Sequence, residues 1–503
     1  MIPLLMTCFV VYFVSTNTGF DGSLMSSIYT QEDYLERFQL DVNSSTATGL
    51  VFSIYNVGQI CAAFFCPLID LWGRKKMILI GCWGTVVGAI ITVVAHNRET
   101  LIAGRFFLSF FTTLANTSAS LYVTEIANSN NRSIVAGCYN TLWYVGSILA
   151  AFTSYGSNIH HGGSERSFRI PLGMQALFPG IVGILGWFIP ESPRWLVGVG
   201  KEEEGREMIA KFHCNGDRSH PLLDYEMAQI ENSFRDNKLA TSFKILDMRP
   251  IFQDRNTYRS LLVIAMAFFG QFSGNNVCSY YLPTMLINIG MTSTTTNVLM
   301  NAIYSIVSWV SSVIGSFAHE KVGRRKMFMF STLACSLCLT GLAVSTARYQ
   351  ATQAAAASRS ALAFIYLFGI MFSFAFTPMQ PIYPAEISSN VLRSRSMVVL
   401  NVTAGVASFI NQFASPQAMK NIGFWFYVFY VFWDIFEFFI VYFFFVETRG
   451  KTLEEMDRIF ASRNPRKVSV GDYSSEDEVS LQRLHLLSVS NNYARGKVTQ
   501  ENV

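Results

Sequence analysis

The sequence predicts an all-α membrane protein of twelve transmembrane helices in two six-helix bundles. Three observations carry that prediction. First, the 503 residues are 51% hydrophobic and only 14% charged, with 43 Phe, where a soluble domain carries about 25% charge. Second, the apolar residues fall into long runs, and about 20 such residues cross a bilayer. Third, the short charged link DLWGRKK (70–76) returns near mid-chain as EKVGRRK (320–326). The net charge of +4 is small, so it does not point to nucleic acid as a partner.

Twelve runs are long enough to span: roughly 2–27, 47–69, 77–96, 101–125, 133–156, 171–190, 260–288, 297–318, 327–346, 361–384, 397–415 and 423–446. Lipid offers the backbone no hydrogen bonds, so these runs are helices. IPLLMTCFVVYFVSTNTGF reads as the first span, not as a cleaved leader. The spans group as an N-terminal bundle (1–190) and a C-terminal bundle (260–446). A polar linker (191–259) joins them, with helical charge patterns in KEEEGREMIAKF and MAQIENSFRDNK. The tail (447–503) ends in the Ser-rich GDYSSEDEVS and is expected to be mostly disordered. The nine Cys are scattered in apolar runs without ligand spacing, so buried free thiols are expected.

Lys and Arg set the expected orientation. Short loops on the DLWGRKK side carry ten: Arg74, Lys75, Lys76, Arg132, Lys321, Arg324, Arg325, Lys326, Arg393 and Arg395; the opposite loops carry seven. That side is therefore expected to be cytoplasmic, with both termini. The plasma membrane is the expected location. Asn43-Ser-Ser in the first external loop is then a glycosylation sequon.

The two halves repeat the same marks in the same order. Asp70-x-x-Gly73-Arg74 links spans 2 and 3, and Glu320-x-x-Gly323-Arg324 links spans 8 and 9. Glu125 and Arg132 flank the end of span 4, as Glu386 and Arg393 flank the end of span 10. Glu191 follows span 6 and Glu447 follows span 12. Parallel six-span repeats build one large class of transporters. Arg grips carboxylates with a planar two-bond fork, and Gly permits the tight turn between spans. These marks are candidates for a cytoplasmic gate that holds one side shut. The alternative is a plain topology signal.

The chain resembles the sugar porters of the major facilitator superfamily from residue 1 to about 460. The resemblance rests on GFDG (19–22), DLWGRKK, Gly104-Arg105, Tyr122-x-x-Glu125, PESPRWL (190–196), EKVGRRK, IYPAEI (382–387) and VETRGKTLEE (446–455). Within that family, GQFSGNNVCSYYL (270–282) and SFINQFASP (408–416) look most like the fungal lactose and cellodextrin permease group. Ser133, Glu320 and Gly270 depart from the wider family's pattern; the disaccharide-like group shares Gly270.

The resemblance implies sugar transport by alternating access, with sugar and protons as partners, the bilayer as surroundings, no cofactor and a functional monomer. Asn140 matches a sugar-binding amide position in span 5. Gln271, Asn276 and Tyr280 match sugar contacts in span 7, and Asn411 matches one in span 11. Amides suit this work because they donate and accept, as a sugar hydroxyl does. Their alternative use is interhelical hydrogen bonding. Gly274 is expected to permit a kink or close approach. Trp143 and Trp309 are candidates to stack on sugar, and Pro381 stands near the place of the group's usual span-10 aromatic. Asp21 and Arg105 match a pair associated with proton coupling, and a static salt bridge in a uniporter is the alternative.

No Walker loop and no catalytic constellation is present, so an ATP-driven pump or an enzyme is not expected. A sugar sensor of the same fold and a polyol or organic-acid porter are the rival readings. An anionic substrate would call for mid-span Lys or Arg beyond Arg105.

Overall fold

The computed structural model describes residues 2–28, 31–39, 45–127, 132–214, 216–234, 247–280, 282, 285, 286, 289, 290, 294–389, 392–451 and 453–471. The protein is all-helical over these residues, with twelve spans in the major facilitator arrangement. Span 1 is Ile2–Ile28, and span 2 is Ser45–Ala63, continued by Leu68–Trp72. Spans 3, 4 and 5 are Arg74–Val94, Arg98–Ile126 and Arg132–His161. Span 6 is broken into Arg166–Met174 and Leu177–Leu185, and span 7 into Asp254–Phe272 and Asn275–Tyr280. Spans 8 to 12 are Thr294–Val322, Arg324–Thr352, Ala355–Ile387, Arg393–Ile422 and Trp425–Phe444.

Most helices overrun the apolar runs because they continue into the charged links. A low-charge, hydrophobic window marks only the part that meets hydrocarbon. Among the described residues, nine of these helices hold a low-charge apolar stretch long enough to cross a membrane, by length and composition. Spans 1 and 4 carry polar side chains on buried faces, among them Asn17, Asp21, Arg105, Thr112 and Thr117.

Large apolar side chains are exposed on most spans, among them Phe9, Val87, Phe152, Ile184, Ile314, Leu337 and Phe432. Such a surface suits lipid, not water. Spans 2 and 11, and spans 5 and 8, pack across the seam between the bundles. In the C-terminal bundle, Phe328 packs between Phe376, Tyr383 and Phe445.

The linker forms helices Pro193–Gly198, Glu202–His213 and Pro221–Phe234, then a 3-10 turn at Arg249–Phe252. Ser192 caps the first of them, its Oγ accepting from the Trp195 amide. His213 docks this layer onto the bundle: Nδ1 meets Glu226 at 2.6 Å and Nε2 meets the Ile126 carbonyl at 3.0 Å. The tail starts with helices Leu453–Ala461 and Pro465–Val470, whose Ile459, Phe460 and Val468 join the C-terminal core. Residues 472–503, expected to be disordered, lie outside the described residues, as does Asn43.

Candidate functional site

The repeated charged marks build two matching clusters at one end of the molecule, here called the latch end. In the N-terminal bundle, Arg74 Nη2 reaches Glu125 Oε1 at 2.8 Å and Asp70 Oδ1 at 3.0 Å. Glu191 Oε1 accepts from the Arg74 and Lys75 amides at 2.9 and 3.1 Å, and Ser192 Oγ donates to Glu125. In the C-terminal bundle, Arg324 grips Glu386 with two bonds, at 2.8 and 3.3 Å. Glu447 accepts from the Arg324 and Arg325 amides at 2.9 and 3.2 Å, and Thr448 Oγ1 donates to Glu386. Each Arg thus begins a helix whose first amides are held by a carboxylate, where the helix dipole favours an anion. Burial pushes the Glu191 carboxyl above its usual range, against the pull of the Ser192 and Lys75 amides and the Arg74 charge.

Gly73 and Gly323 make these clusters possible. Their φ values are +96° and +102°, which other residues rarely adopt. A Cβ on either would also meet the Glu191 or Glu447 carboxylate at 2.5 or 2.6 Å.

The ion pairs lie within each bundle. Contacts that cross the seam include a hydrogen bond from Ser394 to Asp70 and the attractions of Arg393 for Glu125 and of Arg395 for Asp70. The symmetry is imperfect. Asp70 is buried and paired, whereas Glu320 is half-buried and has no ion pair among the described residues. The Glu125 side chain is 3% exposed and its counterpart Glu386 is 22% exposed, so the N-terminal cluster is the drier one. The side chain of Arg132 lies outside the described residues.

The span-7 and span-11 amides come together. Span 7 breaks at Ser273-Gly274, where Gly274 has φ +87° and a Cβ would meet nothing closer than 3.5 Å. Conformation, not space, therefore selects glycine there. Gln271 and Asn276 flank this break, as polar groups do in discontinuous transporter helices. Ser408 of span 11 joins them: its Oγ donates to Gln271 Oε1 at 3.0 Å and lies 3.2 Å from Asn276 Nδ2. Asn411 Nδ2 donates to the Gln271 carbonyl at 3.0 Å, and Tyr430 Oη donates to Asn411 Oδ1 at 3.0 Å. The Tyr280 side chain lies outside the described residues.

Asn140 is placed apart, donating across the seam to the Thr377 carbonyl at 2.5 Å. Trp143 packs edge-on against Tyr144. Trp309 keeps a buried indole N–H with no hydrogen-bond partner among the described residues.

Asp21 is 1% exposed and lies in a polar cage. It accepts from Asn17 Nδ2 and Gln175 Nε2, each at 3.0 Å, and from Thr112 Oγ1 at 3.3 Å. Arg105 lies within electrostatic reach of the carboxylate, and its Nε donates to the Val51 carbonyl at 3.0 Å.

Three groups escaped the sequence reading. Gln175 sits at the break of span 6 and was hidden in an apolar run. Gln380 of span 10 fills the space a side chain at Gly270 would take, its Nε2 only 2.5 Å from that Cβ position. Asp434 and Glu437, both fully buried in span 12, stand in a Phe-rich run whose hydropathy masks them.

A family described as "Sugar (and other) transporter" matches residues 7–460. The high-affinity glucose transporter 1 of Candida albicans is 28% identical over 92% of this chain and 88% of its own length. The MFS-type transporter oryC of Aspergillus oryzae is 27% identical over 90% of this chain and 84% of its own. The proton:xylose symporter XylE of E. coli, in a structure with 6-bromo-6-deoxy-D-glucose bound, superposes with a TM-score of 0.79 at 18% identity. That match covers 91% of this chain and 99% of that one. None of these is a lactose or cellodextrin permease, so the relatives do not single out that subgroup. With its twelve-span fold and a family match across nearly the whole chain, this multi-pass membrane protein is a member of the sugar (and other) transporter family, and not an enzyme.

Proposed function

We propose that the protein is a proton-coupled sugar transporter that works as a monomer in the plasma membrane, with its latch end and both termini in the cytoplasm. The Asp21 cage carries the coupling part of this reading. A carboxylate buried inside a span costs roughly 3 kcal/mol or more, and here it sits beside Arg105 with Asn17, Thr112 and Gln175 as donors. A proton arriving from outside neutralises Asp21 and loosens its hold on Arg105, freeing spans 1 and 4 to move. Release inside resets the cage.

Sugar binds at the span-7 and span-11 amides Gln271, Asn276 and Asn411, with Asn140, Tyr280 and Gln380 completing the site. Their present hydrogen bonds to Ser408, Tyr430 and the backbone are exchanged for sugar hydroxyls. The latch clusters Asp70–Arg74–Glu125–Glu191 and Arg324–Glu386–Glu447, with Arg132, Glu320 and Arg393 beside them, hold the cytoplasmic side shut until the bundles rock.

A hexose is the preferred substrate. Glucose transporters are among the similar proteins, and Gln380 occupies the space that Gly270 would otherwise open. Gly270 keeps a disaccharide as the second candidate. Facilitated diffusion is the second mechanism, favoured by the same cage: three neutral donors can hold an ionised Asp21 without any proton cycle. Uptake of a small radiolabelled sugar panel, in cells stripped of their own transporters, tests the assignment. Saturable uptake of a hexose supports it, and transport of no sugar in the panel rejects it.

A further inference from the structure

Span 12 carries two carboxylates that the transport reading does not use. Asp434 and Glu437 are three residues apart, hence on one face of the helix, and each is 0% exposed. Glu437 Oε1 accepts from the Trp433 indole at 2.6 Å. Among the described residues, Glu437 Oε2 and both oxygens of Asp434 are buried without a hydrogen-bond partner. Among the described residues neither forms an ion pair with Lys, Arg or His.

The groups that face them are neutral. Cys278 of span 7 and Cys335 of span 9 lie within electrostatic reach, with Cys338 beside them, and Tyr430 lies one turn away on span 12 itself. Two like charges one helical turn apart, with no counter-ion and no water-facing surface, oppose each other's ionisation. A hard metal ion would need six or more oxygens. Here no group of three or more His, Cys, Asp or Glu converges closely enough for any metal, among the described residues. The ligand that fits this pair is a proton.

The pair is also wired toward the candidate sugar site. Trp433 packs on Phe268 and Phe272 of span 7, beside Gln271. Tyr430 donates to Asn411, which in turn donates to the Gln271 carbonyl. We propose that Asp434 and Glu437 form a second proton-binding site, in the C-terminal bundle and separate from Asp21. Its occupancy is sensed by the span-7 and span-11 amides through Trp433 and Tyr430.

Infrared difference spectroscopy on the full chain in lipid nanodiscs, taken between mildly acidic and alkaline pH, tests this directly. The wild-type spectrum should contain a buried carboxylic-acid carbonyl band that is lost as pH rises. Asp434→Asn and Glu437→Gln, both isosteric, should each remove a component of that pH-dependent signal that persists in Asp21→Asn. The proposal is overturned if the variants leave the band unchanged, or if the band assigned to the pair does not respond to pH. A second arm, which rests on the sugar-transport reading, measures D-glucose affinity against pH. Asp21→Asn should retain a residual pH dependence, which the Asp21→Asn/Asp434→Asn double variant loses. Absence of glucose binding would count against the substrate reading, while the infrared arm would still decide the proton site.

Discussion

Asn140 donates to the Thr377 carbonyl across the seam between the bundles, and Pro381 is the reason that carbonyl is free. In an α-helix the Thr377 carbonyl would accept from the amide of residue 381, and proline has none. The bond therefore satisfies a buried carbonyl of one bundle with a side chain of the other.

Asn140→Ala should leave that carbonyl unsatisfied and cost about 1–3 kcal/mol. Pro381→Ala should restore the helical amide and make Asn140 dispensable for stability. Thermal unfolding of the two single variants and the double variant in detergent checks this. The cycle should be non-additive, with the double variant recovering most of the Asn140→Ala loss; additive losses would contradict it.

Gln271→Ala and Asn276→Ala should each weaken sugar binding by about tenfold, because a buried hydroxyl loses its partner at about 1–3 kcal/mol. Membrane levels should stay near wild type. Normal expression with unchanged apparent affinity for the transported sugar would remove these residues from the site. Gln380→Ala should behave similarly if it supplies the amide that position 270 lacks.

Arg74→Ala should loosen the latch end more than Arg324→Ala. Removing one partner of a buried ion pair costs about 3–5 kcal/mol, and the Arg74–Glu125 pair is the drier of the two. Accessibility of a cysteine introduced at Ser394, labelled from the latch side, reports the change. Arg74→Lys should rescue part of the loss, since a single nitrogen, Nη2, meets both Asp70 and Glu125 and an ammonium keeps that charge. Unchanged labelling with intact transport would reduce these residues to topology signals.

The spans and the duplicated marks were legible because both are written in local sequence. A run of about 20 apolar residues has few other readings, and Gly73-Arg74 and Gly323-Arg324 recur in register with their Glu partners. The breaks were less legible. Gly274 suggested a kink in span 7, and the break of span 6 at Gln175 lies four residues before Pro179, whose missing amide frees the Gln175 carbonyl. The origin of the Asn140 bond was hidden because it depends on a missing amide 241 residues away, at Pro381. Asp434 and Glu437 are masked by the Phe-rich run WFYVFYVFWDIFEFFIVYFF that surrounds them. Their meaning also lies in what spans 7 and 9 place around them, which only the fold supplies.

The central claim is proton coupling through Asp21, and proton flux measured alongside sugar flux tests it most directly. Purified protein in liposomes holding a pH-sensitive dye should acidify the lumen when D-glucose is added outside. The signal should vanish in Asp21→Asn, while exchange of labelled sugar across the membrane survives in part. Sugar entry without lumenal acidification, unaffected by a protonophore and equal in wild type and Asp21→Asn, would contradict the account and leave a facilitative uniporter.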